Sequence, residues 1–151
     1  MISISLLPAL NDNYIFLIAN DKDAIVVDPA EPLVVLKTLQ SHGLRLVGIF
    51  NTHHHPDHVG GNKVLKSKTN CTIYGPQNDR DRIPGIDVGC EEDKSFEVLG
   101  TKWSFIDVPG HTTGHGAYYA PELKAAFVGD TLFALGCGRM FEGTSEFILV
   151  V

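Results

Sequence analysis

The sequence predicts a mixed α/β (α+β) fold. Three observations lead there: short alternating or continuous apolar runs near both ends of the chain, a helical apolar spacing between them, and glycine, proline and asparagine turns separating the runs. With 151 residues, 44% of them hydrophobic, the chain fits one domain, 1–151, with a core of its own.

Ile2, Ile4 and Leu6 alternate with Ser3 and Ser5, the period of a strand with one buried face, and Asn11-Asp12-Asn13 supplies the turn after it. The runs 14–19 and 24–27 flank Asn20-Asp21-Lys22-Asp23 and extend this strand into an antiparallel meander. Next, Leu33, Val35, Leu36 and Leu39 recur at i, i+3 and i+4, with Pro32 tolerated in the first turn and Gly43 as the stop, which marks a helix. His42 complements the dipole at its end. The near-continuous apolar run 46–50 reads as a strand covered on both faces. Gly60-Gly61-Asn62 opens a second helix to about 68, with Lys63, Lys66 and Lys68 as its solvated face. A strand at 71–74 follows, then a long irregular connection, 75–94, broken by Pro76, Pro84, Gly85 and Gly89 and placed to shape a pocket mouth. Runs at 95–98 and 102–107 around Gly100 form a hairpin, and strands follow at 117–119 and 125–128.

The chemistry concentrates in 52–58. There His53, His54, His55, Asp57 and His58 are interrupted only by Pro56, and four of the chain's seven histidines are gathered. Imidazole nitrogen and carboxylate oxygen are ligands that zinc and neighbouring transition metals accept. If a strand ends at 49–51, His53 and His55 point one way while Asp57 and His58 turn to a second point, so one loop can serve two metals. A loosely binding, solvated histidine tract is the plain alternative. Matching residues far along the chain argue against it: His111 within 107–115 and Asp130 within 127–131, each following a β-rich run. Taken alone, His111 reads equally well as a turn histidine and Asp130 as a helix N-cap.

The ordered set His-x-His-x-Asp-His at 53–58, Pro-Gly-His-Thr-x-Gly-His at 109–115 and Gly-Asp-Thr at 129–131 resembles the metallo-β-lactamase superfamily. The segment Gly136-Cys137-Gly138-Arg139-Met140-Phe141-Glu142-Gly143-Thr144 is similar to a loop of its hydroxyacylglutathione hydrolases (glyoxalase II), as are 10–14 and Val27-Asp28-Pro29. The likeness runs from about residue 6 to about residue 146. It implies a four-layer αββα sandwich. It also implies two divalent metals, zinc or else iron or manganese: His53, His55 and His111 would hold one, Asp57 and His58 the second, and Asp130 would bridge them. Asp57 and Asp130 would then be the catalytic carboxylates beside the water those metals activate. The implied reaction is hydrolysis of S-lactoylglutathione or another S-2-hydroxyacylglutathione to glutathione and D-lactate or the corresponding acid, in methylglyoxal detoxification. Arg139 would pair with a carboxylate of the glutathione moiety, and Phe141 stands where an aromatic hydroxyl is often found, so that hydrogen bond is missing. His54 and His115 would be supporting or solvent-facing groups.

The pattern departs from the family after Gly-Asp-Thr, where the family carries another metal-binding histidine and a helical substrate-binding region. Here no histidine follows His115 and the chain closes on the apolar tail 146–151. The expectation is a sandwich incomplete at its C-terminal end, a second metal short of one histidine, and weakened hydrolysis. A shortened, non-catalytic metal-binding isoform and a mononuclear-iron persulfide dioxygenase on the same scaffold are the alternatives. A formal net charge of -6 speaks against a nuclease and a nucleic-acid partner. The start lacks a basic leader, and no apolar run approaches the ~18 residues that span a bilayer, so neither a secreted β-lactamase nor a membrane partner is expected. Cys71, Cys90 and Cys137 show no paired spacing, which fits a reducing cytoplasm; Cys137, with no base beside it, reads as structural. A monomer is expected.

Overall fold

The computed structural model describes residues 1–143; Thr144 and the tail 146–151 lie outside them. A six-stranded sheet takes the order β1 (Ser3–Ala9), β2 (Asn13–Ala19), β3 (Asp23–Val27), β4 (Arg45–Phe50), β5 (Thr72–Pro76), β6 (Val88–Cys90). Its first three strands are the expected antiparallel meander, and from β3 onward neighbours run parallel. Parallel neighbours need crossovers, which α1 (Pro32–His42) and α3 (Asn62–Thr69) supply between β3 and β4 and between β4 and β5. The second sheet is antiparallel, in the order β10 (Ala125–Phe127), β9 (Gly116–Ala120), β8 (Thr101–Asp107), β7 (Ser95–Val98).

Two cores result. Val35 and Leu39 of α1 and Leu65 of α3 pack with Ile15, Val26, Leu46, Ile49 and Ile73 on one face of the first sheet. Ile18, Ile25, Val27 and Phe50 on its other face meet Trp103, Phe105, Tyr118 and Phe127 of the second. The run 46–50 is therefore covered on both sides, as its unbroken apolarity predicts. A register shift between Ala24 and Ile25 breaks strict alternation, so that Leu46 and Ile49, three apart, face the same core. Helix, sheet and sheet make three layers of the αββα sandwich. The outer face of the second sheet presents exposed Ile106 and Tyr119.

Some local expectations change. Leu33 fits the helical spacing but faces solvent, leaving Val35 and Leu39 as the buried positions of α1. Gly43 does end that helix, at φ 64° in the left-handed region. Gly60 and Gly61 take helical backbone rather than positive φ. They are small because the chain passes close: a Cβ at Gly61 would lie 2.4 Å from the Pro29 carbonyl oxygen. The connection 75–94 is less irregular than its composition suggests, since it holds a 3-10 turn, Gln77–Asp79, and β6. A four-residue helix, α2 (Pro56–Val59), forms inside the histidine loop itself. No helix of the described residues is long and apolar enough to cross a membrane.

Candidate metal centre

The adjacent C-terminal ends of parallel β3 and β4 put Asp28 beside 51–53, since Val27 pairs with Phe50. The loop from β8 to β9 carries His111 and His115, and the Gly116 amide donates to the Thr52 carbonyl at 2.9 Å, joining the two sheets there. Asp130 follows β10 in a single 3-10 turn, Gly129–Thr131. Strand ends from both sheets thus converge on one point.

Hydrogen bonds then settle which nitrogen of His53 and of His111 is bare and which way the His58 ring turns. Thr52 Oγ1 gives its proton to Asp28 Oδ2 at 2.7 Å, so His53 Nδ1, 3.0 Å from Thr52 Oγ1, must donate to that hydroxyl oxygen. This leaves His53 Nε2 as a lone pair, buried and without a partner. His58 Nδ1 donates to Asp28 Oδ2 at 3.0 Å, which turns its Nε2 toward Asp57 Oδ2 at 3.3 Å and Asp130 Oδ1 at 3.2 Å. Neither approach is aligned as a hydrogen bond. His111 Nδ1 donates to the Arg139 carbonyl at 2.5 Å, so its Nε2 is bare, 3.1 Å from His55 Nδ1 and 3.2 Å from Asp130 Oδ2.

These atoms ask for positive charge. Ligand nitrogens of His53, His55 and His111 all lie within 4.8 Å of one another, too close for lone pairs facing a shared space to be comfortable unless a cation sits among them. Burial, and then the neighbouring imidazoles, push the His53 pKa far down, and burial with His111 lowers that of His55, so both rings are neutral donors as a metal requires. His58 behaves oppositely. Burial alone would lower it, but Asp28 and Asp130 outweigh burial and raise it to about 10, so without a metal a proton occupies the place between the carboxylates. Asp130 is correspondingly lowered, burial being overcome chiefly by His58. Orphaned buried nitrogens and a nitrogen facing two carboxylates fit divalent metal ions.

All six residues expected as ligands, His53, His55, Asp57, His58, His111 and Asp130, come together. The two expected substrate contacts are placed less deeply. Arg139 is exposed, with its backbone carbonyl on His111, and Phe141 is exposed with its ring 5.8 Å from the His55 ring and 5.2 Å from the His111 ring. His54 is half-buried, Nδ1 3.3 Å from Asp79 Oδ2. His115 is fully buried, stacked 4.6 Å from the His53 ring, and its Nε2 accepts from the Asp130 amide at 3.1 Å. Burial lowers its pKa to about 4, which keeps that acceptor neutral. Cys137 is exposed rather than packed.

Asp28, Thr52 and Asn13 lie in segments that the motif reading singled out, 27–29, 52–58 and 10–14, but it gave them no role in the site. Asn13 Nδ2 donates to Asp57 Oδ2 at 3.0 Å and orients it. Asp28 was detectable as a third acidic or histidine residue standing at a strand exit; the Asn13 contact had no local signal.

Residues 10–146 match the Metallo-beta-lactamase superfamily, and the chain belongs to that family, membership of which implies a divalent metal in the histidine and aspartate cluster. Within the class its similarity is to hydroxyacylglutathione hydrolases. It is 48% identical over 148 residues to that of Methylococcus capsulatus, covering 97% of this chain and 58% of the relative, and 52% identical over 146 residues to that of Crocosphaera subtropica, covering 91% and 57%. The chain thus spans somewhat more than half the length of these curated relatives. Among solved structures, the BLEG-1 B3 metallo-beta-lactamase superposes with a TM-score of 0.88 at 23% identity, over 97% of this chain and 82% of that one, a likeness of fold alone. ETHE1 from Myxococcus xanthus superposes with a TM-score of 0.82 at 25% identity, over 98% and 66%.

Proposed function

We propose that the chain is a metal-dependent thioester hydrolase that splits S-2-hydroxyacylglutathiones, S-lactoylglutathione foremost, into glutathione and the 2-hydroxy acid. The observation that carries this reading is the identity of about half, 48% and 52%, with hydroxyacylglutathione hydrolases over nearly the whole chain. In this reading His53, His55 and His111 would hold one ion and Asp57 and His58 the other, with Asp130 shared between them, both ions being zinc. Two such ions, when bound, lower the pKa of water toward neutrality and polarise an acyl carbonyl.

The chain's own groups do the rest. Asp28 holds the His58 proton on Nδ1 and, through Thr52, the His53 proton on Nδ1, so that both Nε2 atoms face the centre. Asp57, oriented by Asn13, and Asp130, whose backbone N–H is held by His115 Nε2, stand to take up the proton released by the attacking water. The thiol leaves as thiolate without obligatory protonation, because its pKa is only ~8.5. Arg139 offers a bidentate fork to a glutathione carboxylate, and Phe141 supplies an apolar wall next to His55 and His111.

The test is thiol release from S-lactoylglutathione beside metal content per chain. About two ions with turnover, lost about 100-fold or more in His53→Ala and Asp130→Asn, is expected. About one tightly held ion without turnover, or oxygen uptake with glutathione persulfide in its place, would overturn the reading.

A further inference from the structure

Next to the metal centre lies a charged network that the chemistry above does not use. Asp79, 1% exposed at the end of its 3-10 turn, accepts from Arg82 Nε at 2.9 Å and Nη2 at 2.5 Å on a single oxygen. Arg82 spends its remaining donors elsewhere, Nη1 on Glu142 Oε1 at 2.8 Å and Nη2 on Thr113 Oγ1 at 3.1 Å. The other Glu142 oxygen accepts from the Thr113 amide at 2.8 Å and from its hydroxyl at 3.1 Å. The turn at 113–114 closes tightly over this group, since a Cβ at Gly114 would lie 2.2 Å from Asp79 Oδ1. A charged pair at a surface contributes little by itself. Here, however, one guanidinium joins a buried carboxylate to an exposed one that also receives a backbone N–H, and three separate loops share the junction.

What Glu142 holds is the loop bearing Arg139 and Phe141. Among the described residues of 136–143 it is the one whose side chain is hydrogen-bonded. The remaining ties are backbone ones: Gly138 N–H to the Asp130 carbonyl at 2.7 Å, Phe141 N–H to the His111 carbonyl at 3.3 Å, and Gly143 N–H to the Gly110 carbonyl at 3.0 Å. The Arg139 carbonyl receives His111 Nδ1.

We propose that Glu142, braced by Arg82 on buried Asp79, is a positioning residue that clamps the 136–143 loop against the 110–115 loop, holding Arg139 and Phe141 in the substrate's path. The inference rests on the thioesterase reading for its kinetic consequence but not for its structural one. Arg82 and then the Thr113 amide hold the Glu142 carboxyl down at about 2, so the clamp is charged throughout the neutral range.

Glu142→Ala in the zinc-loaded chain is the primary variant because Glu142 is exposed; Arg82→Ala would strand the buried Asp79 carboxylate and confuse folding with positioning. Amide exchange at Thr113, Gly138, Phe141 and Gly143 should accelerate about tenfold while Val26 and Ile49 in the core keep their protection. KM for S-lactoylglutathione should rise about tenfold with kcat changed less than about threefold, and Glu142→Gln, which keeps an acceptor for the Thr113 amide, should recover part of the loss. Unchanged exchange at the loop amides overturns the clamp, as does an unchanged KM in an active enzyme. If the parent chain shows no turnover, the thioesterase reading fails, and loop exchange alone then upholds or refutes the clamp.

Discussion

Asp28 sits in left-handed backbone, φ 50°, which is strained for a residue with a Cβ and tolerated best by aspartate and asparagine. Its amide donates to the Phe50 carbonyl at 2.9 Å, and its carboxylate takes the Thr52 amide, the Thr52 hydroxyl and the His58 ring. One strained residue therefore sets the proton on two imidazoles. Asp28→Asn, which keeps the shape and removes the charge, should weaken zinc binding about 10- to 100-fold in competition with a chelator; an unaltered affinity would show that His58 is oriented some other way. Two histidines also give the metal-free protein an opposed pH response. An unfolded imidazole titrates at ~6.5, so neutral His115, lowered to about 4 by burial, contributes stability above 6.5 that is lost as the pH falls toward 4. His58, raised to about 10, contributes stability below 6.5 that is lost as the pH rises toward 10. Urea midpoints of the chelated protein should decline on both sides of about pH 6.5, and the alkaline decline should vanish when metal replaces the His58 proton. A chelated protein equally stable from neutral pH to about 10 would remove the His58 assignment.

At the scale of elements, β4 links core to site. Phe50, its last residue, packs against Tyr118 at 4.8 Å, Trp103 at 5.0 Å, Tyr74 at 5.1 Å and Phe96 at 5.5 Å, three residues ahead of His53. This aromatic cluster spans the space between the sheets and so fixes where the histidine loop departs. Phe50→Ala should cost about 3–5 kcal/mol in denaturant titration; a cost below about 1 kcal/mol would mean that the sheets close over the gap without strain. Elements with strong period and clear stops were legible in the sequence: the meander, α1 between Pro32 and Gly43, and the hairpin of β7 and β8. Two short ones lying inside segments read as loop, α2 and β6, were not. α2 has four residues and β6 three, too few to display a period, and each exists because neighbouring structure supplies its partners.

For the whole molecule, the centre is a junction between two sheets whose contributing residues run from Asn13 to Asp130. A bound ion therefore links halves of the fold that are joined there by the Gly116 amide on the Thr52 carbonyl and the Tyr118 hydroxyl on the Asn51 carbonyl. Metal at about 100 times its dissociation constant adds roughly 2.7 kcal/mol to folding, so chelation should lower the melting temperature by several degrees and zinc should restore it. A melting curve indifferent to both would mean that the cluster binds no metal tightly.

The sequence by itself determined the ligand types, the order of the three motifs and the strand exits that carry them, because donor chemistry and hydrophobic period are properties of neighbouring residues. Only the tertiary structure decided which nitrogen of His53 and of His111 is bare, that Asp28 and not a nearer residue orients His58, that His115 is buried against His53, and that Glu142 meets Arg82. Apart from the His53 contact with adjacent Thr52, whose own proton is directed by Asp28 24 residues away, each of these is a hydrogen bond or stacking contact between positions 15 to 62 residues apart. Local pattern carries no record of such pairs; they exist because the strands that deliver them end at the same edge.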